Sequence, residues 1–159
     1  MKQKALSKWL KIILIGVGIC GLIVYLVIFP GYGQSLVSDY PEFSNRYLPW
    51  LIFLWMTGIP CGIVLVLGWR IASNIGKDNS FSNENAKYLK WISWFAAGDG
   101  IFFFFGNVVL LFANMSHPGV ALFSLLVVFA GIAVTVASSA LSHLVQKAAV
   151  LQEQSDLTI

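Results

Sequence analysis

An acid sits where the chain is otherwise greasiest. In "WFAAGDGIFFFFGN", Trp94 to Asn107, Asp99 lies between Gly98 and Gly100 within an apolar run. A carboxylate at mid-membrane depth costs several kcal/mol when charged and facing lipid, so it is expected to face other helices, hold a proton, or both. Other reactive residues are few. Cys20 and Cys61 stand alone inside apolar segments and read as small packing thiols rather than a redox pair. His117 and His143 fall near opposite ends of one segment, which gives no histidine metal site. Neither GxSxG, a Walker-type glycine loop, HExxH nor CxxC occurs. The expectation is a non-enzymatic protein without cofactor or metal.

The elements that must hold Asp99 follow from composition. The chain has 159 residues, 58% hydrophobic and 11% charged, outside the range of soluble domains. A lipid-spanning helix needs about 20 mostly apolar residues, and four stretches qualify: 10–29, 48–71, 88–112 and 120–146. The fold class expected is all-α, a single-domain polytopic membrane protein with a four-transmembrane-helix bundle and a tail over 147–159. The basic start resembles a secretory signal, but its apolar core is too long and Phe29-Pro30-Gly31-Tyr32 is a poor cleavage site. Alternation for a β-barrel is absent.

Lysine and arginine set the orientation. Lys2, Lys4, Lys8 and Lys11 precede the first span, Arg70, Lys77, Lys87 and Lys90 bracket the second connection, and Lys147 follows the fourth span. Only Arg46 lies on the other side. Both termini are therefore expected in the cytoplasm. No basic stripe with interleaved stacking aromatics occurs on a soluble face, so no direct nucleic-acid binding is expected.

Turns and kinks punctuate the spans. The outer connection, Pro30 to Tyr47, carries prolines, glycines and tyrosines that mark turns and headgroup anchoring. Pro60 with Gly58 and Gly62 predicts a kink in the second span. Ser82 reads as the N-cap of the third helix, with Glu84 in its first turn, one position short of a capping box. The fourth helix has no stop signal before its tail, so Leu144, Ala148 and Leu151 form an apolar stripe below the bilayer that covers either the inner loop or a partner.

Depth bookkeeping gives Asp99 its expected neighbours. Lys90 to Asp99 is nine residues, about 13 Å of helix. The same distance inward from Lys147 reaches Ser138, with Ser139 beside it and Thr135 a turn above; on the other helices it reaches Cys61 and Cys20. The preferred reading is a polar packing layer in which Asp99 hydrogen-bonds a serine or threonine of the fourth helix, a bond worth on the order of 0.6 to 2 kcal/mol in lipid. The alternative is a proton-coupled or cation site in a small transporter or channel subunit that works as a homo-oligomer.

Two segments carry a resemblance. Phe81, Ser82, Glu84 and Asn85 followed by Lys87, Leu89 and Lys90, and the terminal Asp156, Leu157, Thr158 and Ile159, resemble a bacterial family of small four-helix membrane proteins known only as a domain of unknown function. Such proteins are similar in layout to ones often encoded beside a small Cro/CI-type helix-turn-helix regulator. The resemblance implies a membrane component that binds or restrains a cytoplasmic DNA-binding partner. The segments containing Phe81, Ser82, Glu84, Asn85, Lys87 and Lys90, and Leu151, Asp156 and Leu157, are accordingly expected to pack together as a docking platform or simply to dock on each other.

Overall fold

A computed structural model describes residues 3–116 and 118–156. Four helical spans run through it, Gln3–Asp39, Pro41–Gly76, Asn83–Phe112 and Gly119–Ser155, each long and apolar enough to cross a membrane. Among the described residues there is no strand. The first span comprises α1 (Gln3–Ile23), a π-helical segment (Val24–Ile28) and α2 (Phe29–Asp39). After a single 3-10 turn (Pro41–Phe43) come α3 (Ser44–Gly76), α4 (Asn83–Phe112) and α5 (Pro118–Asp156).

The first span overturns the expectation that Pro30 opens a loop. Helix continues to Asp39, and the outer connection shrinks to Tyr40 and the 3-10 turn. Proline lacks the N–H that would close the next intrahelical bond and crowds the preceding turn. The helix absorbs this by widening just before it, where Phe29 N–H bonds the Val24 carbonyl. Continuing that pattern, Pro30 would have to bond the Tyr25 carbonyl, which it cannot do. The indole of Trp55 on α3 donates to this carbonyl instead, at 2.9 Å. A neighbouring helix thus satisfies the freed acceptor, the condition under which lipid tolerates an interrupted helix.

The spans form an open row. First packs on α3, α3 on α4 and α4 on α5; among the described residues no other pair of spans brings Cα atoms within 8 Å. The tightest seam, between α4 and α5, follows a seven-residue rhythm of small groups. On α4 it uses Ala86, Ser93, Gly100 and Asn107. Ser142 donates to the Ala86 carbonyl at 2.7 Å and Ser93 to the Thr135 carbonyl at 3.0 Å. A Cβ on Gly131 would meet the Gly100 Cα at 4.0 Å. With no hydrophobic drive between helices in lipid, such close approach and interhelical bonding are what hold a pair together.

Aromatic knobs seated on glycines hold the other seams. Phe53 of α3 lies over Gly106 of α4 and stacks on Phe103 with ring centroids 5.9 Å apart. Tyr25 lies over Gly58, and Tyr47 with Trp50 over Gly33. The two sharp turns out of α3 and α4 place Asp78 at φ 60° and Asn114 at φ 53°, a left-handed conformation that Asp and Asn adopt most readily after glycine. Arg46 closes the far end by donating to the Asn114 carbonyl.

A methyl added at Gly106 would overlap the Phe53 ring, whereas one at Gly98 meets nothing within 4 Å. Gly106→Ala is expected to lose roughly 1–3 kcal/mol of stability and Gly98→Ala to be neutral or stabilising by up to ~1 kcal/mol. Thermal unfolding of both in the same detergent checks the order; equal melting temperatures would remove the knob-on-glycine account.

Candidate functional site

Two polar constellations come out of this packing. One is at mid-span on α3, which packs there against the π-helical segment of the first span on one side and α4 on the other. Asp99 Oδ2 lies 3.8 Å from Cys61 Sγ, which donates to it from α3. The other carboxyl oxygen, Oδ1, is buried with no hydrogen-bond partner. Across α3 the Tyr25 hydroxyl pairs with Thr57 Oγ1 at 2.9 Å, and Thr57 donates to the Leu54 carbonyl at 2.7 Å. Tyr25 belongs to the π-helical segment, so the irregularity caused by Pro30 aims its ring at Gly58. Tyr25 and Thr57 were not singled out from the sequence; a tyrosine five residues before a mid-helix proline, facing a threonine beside a glycine, was the available signal.

Asp99 does not reach the fourth span's hydroxyls. Ser138 is buried, Ser139 is exposed, and Thr135 turns back to the Gly131 carbonyl at 2.9 Å. The bonds at Ser93 and Ser142 and the approach at Gly100 put Gly131, not Ser138, at the level of Asp99. Counting inward from Lys147 assumed that α5 leaves the membrane where Lys147 sits. In the structure Ser142 is level with Ala86 and Thr135 with Ser93, so Lys147 lies well below the level of Lys90. Counting along α3, which ends with α4 at one shared turn, did bring Cys61 opposite Asp99. Cys20 is exposed and takes no part.

A second constellation ties the basic ends of all four spans. At its centre Asn85 is 1% exposed. Its Oδ1 accepts from Asn74 Nδ2 at 2.9 Å, and its Nδ2 donates to the carbonyls of Asn79 and Ser80, both at 3.0 Å. Its backbone N–H donates to Ser82 Oγ at 3.2 Å, which makes Ser82 the N-cap of α4. No reciprocal capping box forms, because the third helical position is Asn85, whose amide is spent on the loop.

Around this hub further hydrogen bonds attach α1 and α5. Ser7 of α1 donates to the Ala72 carbonyl at 2.6 Å, and Ser80 to Gln3 Oε1 at 2.9 Å. Asn83 donates to Glu153 of α5 at 3.3 Å. Glu84, outside the apolar part of α4, accepts from Tyr88 at 2.6 Å and from Asn74 at 3.2 Å.

Of the residues expected to make a platform, Ser82, Glu84 and Asn85 are thus engaged within the rim, while Phe81, Lys87, Lys90 and Leu151 stay exposed. The stripe at Leu144 and Leu151 is likewise uncovered, since α5 turns Ser142 and Ala149 inward instead. Asp156 closes the last helix, with its side chain outside what is described, and Leu157, Thr158 and Ile159 lie outside the described residues. No group of three or more metal-binding side chains occurs among the described residues.

Asn85→Ala would strand two loop carbonyls and leave the Asn74 amide only its bond to Glu84, an expected loss of roughly 3 kcal/mol; Ser82→Ala removes only the cap, at about 1 kcal/mol. Thermal unfolding of the two variants ranks them, and a Ser82 effect larger than that of Asn85 would contradict the hub.

Comparison with known proteins adds a family and a relative. Residues 31–159 match the family described as "Protein of unknown function (DUF2975)". Over 154 residues the chain is 29% identical to the "Uncharacterized membrane protein YoaS" of Bacillus subtilis (strain 168), covering 94% of each chain. No solved structure matches.

Proposed function

The chain belongs to the DUF2975 family, and from that premise we propose that this integral membrane protein is a non-enzymatic regulatory component that docks a small soluble DNA-binding protein on its cytoplasmic face. One observation carries the reading. The Asn83–Glu153 hydrogen bond joins the first turn of α4 to the extension of α5. Two residues to either side of it stand Phe81, 56% exposed, and Leu151, 66% exposed. Both apolar side chains therefore project from backbone that is already fixed, so a partner would bury them at little ordering cost. Such paired apolar groups on a polar rim are the kind of anchor that concentrates binding energy. The positive-inside distribution supports the cytoplasmic placement, and the helix-turn-helix class of the partner rests on the resemblance described above.

A second reading draws on the mid-span cluster. The unpartnered Oδ1 of Asp99 favours a proton- or cation-coupled role in a small transporter or channel subunit, since intramembrane acids tend to mark ion or proton paths.

Two variants separate these readings. Phe81→Ser with Leu151→Ser is expected to abolish co-purification of a stoichiometric helix-turn-helix protein with the tagged chain from native membranes, at unchanged membrane levels; retention of that protein refutes docking. Asp99→Asn is expected to leave co-purification intact. Loss of a solute-tolerance phenotype at normal protein levels would favour transport, and loss of the protein itself would assign Asp99 to packing.

A further inference from the structure

The outward face of α4 carries a feature that neither reading uses. Lys87, Lys90, Trp91 and Trp94 line a surface cavity of about 490 Å³. Their spacing of three, one and three residues puts all four on one side of a helix. Trp91 and Trp94 are 57% and 67% exposed, with Trp91 propped on Phe95 at 6.0 Å between centroids. Among the described residues neither lysine has an ion-pair or hydrogen-bond partner, and neither indole N–H has an acceptor. Every polar group of the lining is a donor: two ammonium groups and two indole N–H groups. A lining of donors alone selects an anion with several acceptor oxygens, as a phosphate has.

What lies beyond the cavity identifies the rest of the ligand. The same helical face continues toward mid-span as Gly98, Ile101, Phe105 and Val109, all exposed, and at Gly98 a notch is open, with nothing within 4 Å of an added Cβ. A soluble anion would have no use for this track. An acyl chain would follow it, starting where the apolar part of α4 begins.

We propose that this face of α4 binds one anionic phospholipid from the leaflet at the basic end of the protein, its phosphate held by Lys87, Lys90 and the Trp91 and Trp94 indoles, and an acyl chain laid past Gly98 along Ile101 and Phe105. Indoles and lysines at an interface also serve as general anchors; selectivity for lipid charge is what distinguishes a site from anchoring. Juxtamembrane lysines contribute enough individually that loss of both is expected to weaken binding on the order of 10- to 30-fold.

The test uses the full-length protein purified in mild detergent and titrated with phosphatidylglycerol or phosphatidylcholine, with retained lipid counted by native mass spectrometry. Expected is one phosphatidylglycerol retained in preference to phosphatidylcholine, a 10- to 30-fold loss in Lys87→Gln with Lys90→Gln, near-normal retention in Lys87→Arg with Lys90→Arg, and a smaller loss in Trp91→Phe with Trp94→Phe. All four positions are in the α4 helix without hydrogen-bond partners, and the arginine pair controls for folding. Equal retention of the two lipids, or glutamine variants that bind like the parent, would overturn the site.

Discussion

Lipid removes the force that assembles soluble helix bundles, because acyl chains are as apolar as the side chains they would replace. Everything that holds this protein together is therefore either a hydrogen bond between helices or a place where a small residue lets another helix close in. The α4–α5 seam combines both in one seven-residue rhythm, with serines at Ser93 and Ser142 donating across it and Gly131 facing Gly100. The seams of α3 with the first span and with α4 rely on rings over glycines, at Gly58 and Gly106. Where these devices stop, contact stops, and the spans stay an open row.

The same constraint explains the distribution of polar groups. At the basic end, where water is near and loops turn, the amides of Asn74 and Asn85 tie α3, the loop after it and α4 together. Toward mid-span the few polar groups are satisfied locally: Thr57 by its own helix and Tyr25, Thr135 by its own helix. Asp99 is the departure, with a weak thiol donor on one oxygen and nothing on the other. A chain can carry such a group where function repays the cost, which is why rim and mid-span lead to different functional readings.

Much of this was legible in the residues. Four spans, the Ser82 cap, the inward extension of the third helix and the pairing of Cys61 with the level of Asp99 follow from hydropathy, capping chemistry and helical rise. The errors have physical causes. Pro30 reads as a helix terminator because the local rule cannot know that Trp55, 25 residues later, supplies the donor that proline lacks. Ser138 was matched to Asp99 by taking Lys147 to stand at the depth of Lys90, whereas the Ser142–Ala86 and Ser93–Thr135 bonds set α5 in a register that puts Lys147 further toward the basic end. Asn85 looked like one polar residue of a surface motif; its burial depends on Asn74 arriving from another helix, which no periodicity reveals.

The central claim is that the basic ends of the four spans form one hydrogen-bonded unit around Asn85. Hydrogen exchange followed by mass spectrometry on the full-length protein in nanodiscs tests it most directly, since exchange reports local opening segment by segment. Peptides covering 77–88 and 142–153 are predicted to exchange slowly despite their polar composition and place outside the apolar spans, and to accelerate together when Asn85 is replaced by alanine. If the 77–88 segment exchanges at the rate of an unstructured loop in the unaltered protein, or if the two segments respond independently, the unit does not exist.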